Sequence, residues 1–400
     1  MKFNNLRLFS LLFLDNATSK KFLVGVWVGL AFSIAVILST IGIMNGFERA
    51  LRSGLKKSSG DLTMQSNAGF FLLSDKIKNE LRLNGVKKYS GIIQIESFLI
   101  YNDESRGILV KGIDENYSSI VDLPLKLKVN TVAIGFEIAR LHQIELGDEV
   151  VLAFGRGSSE FKNMPTLHRF KVEQIISHGV YQKDSRMVYA NRSEIQAILG
   201  LVARVNMVAM NVPSPVRKVD DNLKIIEEFN DKLEFSFGNQ FYFKPYWREF
   251  SSLIDAVRAE KVLISLILQL IVVISVFNVL AFIYFINEKK SKELFLFKAL
   301  GLSRQAMNQL WIKLVFSLWV AAAFLAIGFV QFFRLLLRFA DLFELPSEVY
   351  FMPRIDLYIS WTDYLLVFAL ALLWILLITY YLLRNLKNKS LLEGLRQEFV

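Results

Sequence analysis

Between Phe22 and Met44 the chain has 23 consecutive residues without a charge, FLVGVWVGLAFSIAVILSTIGIM. Coiled as an α-helix, a run of that length crosses the ~30 Å hydrocarbon layer of a bilayer. Three further long apolar runs follow, at Val262–Ile286, Leu310–Phe333 and Tyr364–Leu383. Lys313 stands near one end of the third, where its stem can lie along apolar surface while the amine reaches water. Only helices and closed barrels satisfy their backbone groups inside lipid, so runs of this length constrain the fold to a helical membrane protein. The rest of the composition fits this, with 53% hydrophobic and 21% charged residues. The net charge of +10 does not point to nucleic acid, because the basic residues gather beside the apolar runs.

Residues 61–245 read differently, as a soluble α+β domain between the first and second spans. β-branched and aromatic stretches predict strands at Leu62–Gln65, Ile92–Tyr101, Gly107–Gly112, Glu149–Phe154, Phe170–Ser177, Met187–Ala190 and Val205–Val212. Helical patterns fall at Ser74–Leu83, Gly135–Gln143, Arg192–Leu199 and Arg217–Lys232. Beyond the first span, Phe47, Leu51 and Leu55 keep helical spacing and predict an interfacial helix. The loop GRGSSEFKNMPTLH at 155–168 presents Phe161, Met164 and Pro165. Gly25 and Gly29 form a GxxxG pair that permits close helix packing. With no cysteine, the chain has no disulfide or thiolate chemistry. The first apolar run is too long for a cleaved signal peptide and is expected to stay as an anchor.

Charge sets the expected orientation. The insert at 287–309 has five basic and two acidic residues, the tail from Arg384 four and two, and residues 1–21 four and one. The loop from Arg338 to Trp361 has two basic and four acidic residues. The positive-inside rule places both tails and the insert in the cytoplasm. The expected layout is then a cytoplasmic amphipathic tail at 1–21, a span at 22–46 and an extracytoplasmic domain at 47–260. A span at 261–286, the insert at 287–309 and a span at 310–334 follow, then an outer loop at 335–361, a span at 362–383 and a cytoplasmic tail at 384–400. In the insert, Leu294, Phe297 and Leu300 recur at helical spacing among lysines, and Gly301 supplies a stop. A short amphipathic helix on the membrane surface and a basic anchoring loop both fit that pattern.

No catalytic constellation is present in the sequence. There is no GxxxxGK[ST] phosphate loop, so this chain is not expected to be a P-loop ATPase itself. His142, His168 and His178 have no metal-ligand spacing, and Asp220 with Asp221 read as a charged face.

LSTIGIMNGFE at 38–48, KELFLFKALGLS at 292–303, the blocks at 134–152 and 169–190, and EGLRQE at 393–398 together resemble the lipoprotein-releasing (Lol) permeases of ABC transporters. These belong to a broader group with the macrolide-exporter and cell-division permeases. The resemblance implies four transmembrane helices with a large extracytoplasmic α+β domain between the first two. It implies an inner-membrane protein that is not an enzyme and binds no cofactor, with ATP and magnesium held by a cytoplasmic ATPase dimer. Further partners would be a second permease subunit, alike or unlike, a lipoprotein substrate and a periplasmic chaperone. Lys292, Glu293, Leu294, Phe297, Lys298, Leu300 and Gly301 would form the coupling helix that contacts the ATPase. Met44, Asn45, Phe47, Val273 and Phe277 would line the substrate cavity, and Phe161, Met164 and Pro165 would meet the chaperone. A mechanotransmitting permease that activates an outer partner and an efflux permease remain alternatives.

Overall fold

The partition into apolar and mixed stretches reappears as two compact units. The computed structural model describes residues 17–155, 165–213, 223–291, 303–339 and 357–386. The helical unit holds the described residues up to Gly46, from Val257 to Phe339 and from Leu357 onward; the sheet unit runs from Phe47 to Ala256.

In chain order the elements begin with α1 (Ala17–Ser59), β1 (Leu62–Ser66), β2 (Phe71–Leu72), α2 (Asp75–Leu83), β3 (Lys88–Tyr101) and β4 (Glu104–Ile113). Then come α3 (Ser118–Val121), β5 (Thr131–Gly135), α4 (Phe136–His142), β6 (Glu149–Phe154), β7 (Thr166–Ile176), α5 (Tyr181–Asp184) and β8 (Met187–Asn191). The chain continues with α6 (Arg192–Leu199), β9 (Arg204–Val205), β10 (Met207–Asn211), α7 (Leu223–Phe237) and β11 (Phe241–Pro245). A 3₁₀ turn at Tyr246–Phe250 leads into α8 (Ser251–Lys289), followed by α9 (Arg304–Phe339) and α10 (Trp361–Leu386).

Among the described residues, helices α1, α8, α9 and α10 are long and apolar enough to cross a membrane. In the helical unit they share one apolar core, with Leu30, Ile34 and Leu38 of α1, Val272, Val276 and Phe282 of α8, Leu314, Ala322 and Ala326 of α9, and Ala371 and Ile375 of α10. Large residues such as Phe32, Leu266, Ile274 and Leu365 stay exposed on the outer faces. That arrangement suits a lipid surround, in which outward apolar side chains cost nothing.

In the sheet unit nine strands join in the order β11-β1-β10-β3-β4-β8-β5-β7-β6. The 14-residue β3 also pairs with β6, so six strands close into a ring around Ile93, Val110, Val132, Leu152, Phe170 and Val188. The β3–β4 hairpin turns on Asn102 and Asp103, whose φ values of 47° and 65° match the two-residue turn that best suits strand twist. Helix α6 is capped by Asn191, which accepts from the Ser193 amide, and ends on Gly200 at φ 67°.

Two expectations change. The residues after the first span do not form an interfacial helix: α1 is unbroken to Ser59, and Leu51 and Leu55 are buried in the sheet unit's core with Leu62 and Val180. A helix presents the same spacing to lipid and to protein, and here protein covers it. Strands β5 and β11 also escaped the sequence reading, and the expected helix at Arg217–Lys232 is seen as Leu223–Phe237, with 214–222 outside the described residues.

Gly135 is a close-packing point. A Cβ there would stand 2.1 Å from the Asp184 carbonyl oxygen, a backbone atom that cannot rotate away. Gly135→Ala is expected to destabilise the sheet unit by about 1–3 kcal/mol, read as a lower thermal midpoint of the full chain in detergent.

Candidate functional site

Two polar assemblies stand out against the apolar surroundings, one in each unit. In the helical unit, residues 357–360 lie against α1 at Gly42, where a Cβ would fall 2.6 Å from Ile359 Cγ1. The Tyr358 amide donates to the Gly42 carbonyl at 3.0 Å. One turn on, Asn45 donates through Nδ2 to Asp363 Oδ2 at 2.8 Å, and Lys261 Nζ of α8 donates to Asn45 Oδ1. Asp363 also accepts from the Ser360 amide at 2.9 Å and its hydroxyl at 2.8 Å. Arg334 of α9 reaches the Leu357 carbonyl at 3.2 Å. One end of all four helices is thereby tied by a polar collar, with Asn45 at its centre.

Deeper in the helical unit, the hydroxyls of Ser33 of α1 and Ser275 of α8 lie within hydrogen-bond reach of each other. Each also lies 3.0 Å from a carbonyl of its own helix, Gly29 and Ile271, so that when one serine donates to the other its partner donates to its own backbone. Phe22 stacks on Phe282 and Phe285, with centroids 5.9 and 5.1 Å away.

In the sheet unit, the end of α1 meets a buried network. The Ser58 carbonyl accepts from Lys111 Nζ and, at 2.7 Å, from Tyr117 Oη. Lys111 is 1% exposed and makes no ion pair among the described residues. A cation at a helix C-terminus meets the negative end of the helix dipole, which offsets part of the cost of burying it. Beside it, His178 Nδ1 contacts Asp184 Oδ1 at 2.6 Å and Nε2 contacts Tyr189 Oη at 2.7 Å. Burial lowers the His178 pKa, opposed by Asp184, so the neutral ring donates from Nδ1 and accepts at Nε2. Burial also pulls Lys111 down to about 7 and Lys183 below its usual range, with Glu249 opposing in both cases. Tyr189, His178 and Asp184 are all buried, so this His–Asp–Tyr set is closed to solvent.

The residues singled out from sequence scatter. Asn45 bonds both Asp363 and Lys261 at the centre of the collar. Met44 and Val273 are half-buried in the helical unit, and Phe277 is 57% exposed there. Phe47 packs against the sheet unit's core. Gly25 and Gly29 have nothing within 4 Å of a Cβ position, so this pair packs on no described helix of its own chain. Pro165 is exposed. Phe161, Met164, Lys292, Glu293, Leu294, Phe297, Lys298, Leu300 and Gly301 lie outside the described residues. Sequence reasoning missed Gly42, Lys261, Asp363 and Lys111; of these, Gly42 sits in the LSTIGIMNGFE block that carried the resemblance.

Residues 265–391 match the family described as FtsX-like permease C-terminal. This part of the chain is similar to FtsX-like permease domains. Relatives from two strains of Xylella fastidiosa, each named lipoprotein-releasing system transmembrane protein LolC, are 20% identical over 400 residues, covering 93% of this chain and 92% of the relative. Among solved structures, the periplasmic region of MacB from Actinobacillus actinomycetemcomitans is 14% identical, covering 50% of this chain and 95% of its own, with a TM-score of 0.32. The extracellular domain of the ABC-type transporter YknZ from Gram-positive bacteria is 15% identical, covering 46% and 99%, with a TM-score of 0.30.

The residues matched to that family contribute Arg334, Ser360 and Asp363 to the collar, while Gly42 and Asn45 come from α1 and Lys261 lies just ahead of the matched residues. Asp363→Ala removes the acceptor for Asn45 and for both Ser360 donors. A loss of about 1–3 kcal/mol is expected, measured as a lower detergent-state melting midpoint, with Asp363→Asn retaining part of it.

The buried bases set a pH dependence. Each has a folded pKa below its unfolded one, so the unfolded chain takes up protons first as pH falls. Lys111 therefore withdraws stability between its ordinary 10.5 and about 7, and His178 does so below 6.5. The melting midpoint of the full chain is expected to fall from about pH 9 to about pH 5, and Lys111→Met should flatten the alkaline part of that slope.

Proposed function

We propose that the chain is the permease subunit of an ABC transporter that extracts lipoproteins from the bacterial inner membrane and passes them to a periplasmic chaperone. The observation that carries this reading is the similarity to the LolC-named relatives along 93% of the chain, with an FtsX-like permease domain at its end. The sheet unit is then periplasmic, both termini are cytoplasmic, and a separate ATPase dimer supplies energy. Lys292, Glu293, Leu294, Phe297, Lys298, Leu300 and Gly301 are proposed to seat on that ATPase, with Leu294 and Phe297 in an apolar groove.

Energy input is a physical requirement of such a task. Each acyl methylene withdrawn from lipid costs about 0.8 kcal/mol, so three chains amount to tens of kcal/mol unless an apolar surface receives them. The open space beside Gly25 and Gly29, which admits close approach of another helix, supports a second permease subunit facing α1. The acyl chains would then be received between two subunits. The contact of Ser33 with Ser275 disfavours passage between α1 and α8 of one chain at that depth. The loop bearing Phe161, Met164 and Pro165 is proposed to contact the chaperone.

The test is a release assay with the chain, its ATPase and a partner permease in liposomes carrying an acylated lipoprotein. ATP and a soluble acceptor are expected to move the lipoprotein into solution. Leu294→Asp with Phe297→Asp should abolish that transfer. ATP hydrolysis with the lipoprotein still in the membrane would overturn lipoprotein release and favour a mechanotransmitting permease.

A further inference from the structure

The segment at residues 177–184 touches the end of one long helix and the beginning of another. On one side, α1 presses against it at Gly54, where a Cβ would stand 2.3 Å from Val180 Cγ2 and 2.8 Å from the His178 carbonyl oxygen. Only a residue without a side chain admits that approach. On the other side, Lys183 Nζ donates to both Glu249 oxygens, at 2.8 and 2.7 Å, and lies 5.1 Å from the Phe250 ring centroid. Glu249 and Phe250 belong to the 3₁₀ turn that leads directly into α8 at Ser251.

The segment itself is fixed at several points. Asp184 accepts from the His178 amide at 2.7 Å, the Gly179 amide at 3.2 Å and the Ser177 hydroxyl at 3.2 Å. The Asp184 carbonyl lies over Gly135 at the end of β5, and His178 is anchored to Tyr189 of β8. A short loop is thus built as stiffly as the sheet beneath it. Its Lys183 side chain is only 5% exposed, whereas the Glu249 side chain is 47% exposed. Pairs of this kind are weak contributors to stability compared with apolar replacements, but they hold one geometry.

We propose that residues 177–184 are a strap that sets the spacing between the end of α1 and the start of α8, with Gly54 and Lys183 as its positioning residues. It rests on the transport reading above: a displacement of the two helices reaches the sheet through the strap. A two-state closure can do work at a distance only through such rigid contact.

The test uses the absence of cysteine from the chain. Lys57→Cys and Ser252→Cys, spin-labelled in the full chain with its ATPase and partner permease in nanodiscs, report the distance between the two helix ends. The unaltered strap is expected to give a narrow distribution that shifts on adding ATP. Lys183→Met should broaden it about twofold and lower ATP-driven transfer about tenfold, within the range of mutations between coupled sites, with ATP hydrolysis kept. Lys183→Arg should restore part of both. Gly54→Ala is the second variant and acts from the other side, by forcing α1 away from Val180. Unchanged distributions in both variants would overturn the strap, as would loss of transfer matched by loss of folding. If the distances respond to Lys183→Met while no lipoprotein moves even with the intact strap, the strap stands and the lipoprotein reading fails.

Discussion

The carbonyl of Ser58 is the point on which the sheet unit's use of α1 depends. A helix end leaves its last carbonyls unpaired, and in a dry interior each must find a donor. Here a fully buried lysine and a tyrosine hydroxyl supply them from β4 and the turn before α3. That choice has consequences around it. The lysine has to be desolvated, Tyr117 and Tyr189 fill the space beside it, and His178 satisfies the Tyr189 hydroxyl. Removing the helix end would leave a buried amine with nothing to bond.

The same logic recurs at the collar, with different chemistry. The apolar run of α1 ends at Met44, and Asn45 offers both a donor and an acceptor just where the chain leaves the apolar stretch. Lys261 uses the acceptor and Asp363 the donor. An amide is suited to this place because it links a cation and a carboxylate without being charged itself. Gly42, one turn earlier, lets residues 357–360 close over the helix.

Much of the architecture was legible because lipid imposes a simple rule on sequence. Four long apolar runs gave four long helices, and β-branched stretches gave most strands. The contacts that make the candidate site were not legible. Asn45 meets partners 216 and 318 positions away, and no local pattern reports such pairing. Lys111 in mid-strand reads as a solvated position until the helix end that needs it is in place. Leu51 and Leu55 had the right periodicity, but periodicity does not tell lipid from protein. Strand β11 ends in Pro245, a residue that argues against a strand interior and fits a terminus.

The closure of β3 onto β6 also bears on how the protein survives its own synthesis. A strand edge with free amides and carbonyls invites pairing with another chain. The ring removes that edge at β6, so within the nine-stranded sheet the open edge among the described residues is β11, which pairs only with β1. That strand is five residues long and carries Lys244 and Pro245, a charge and a missing donor. A newly made copy therefore offers its neighbours little to polymerise on while its helices are still finding the membrane.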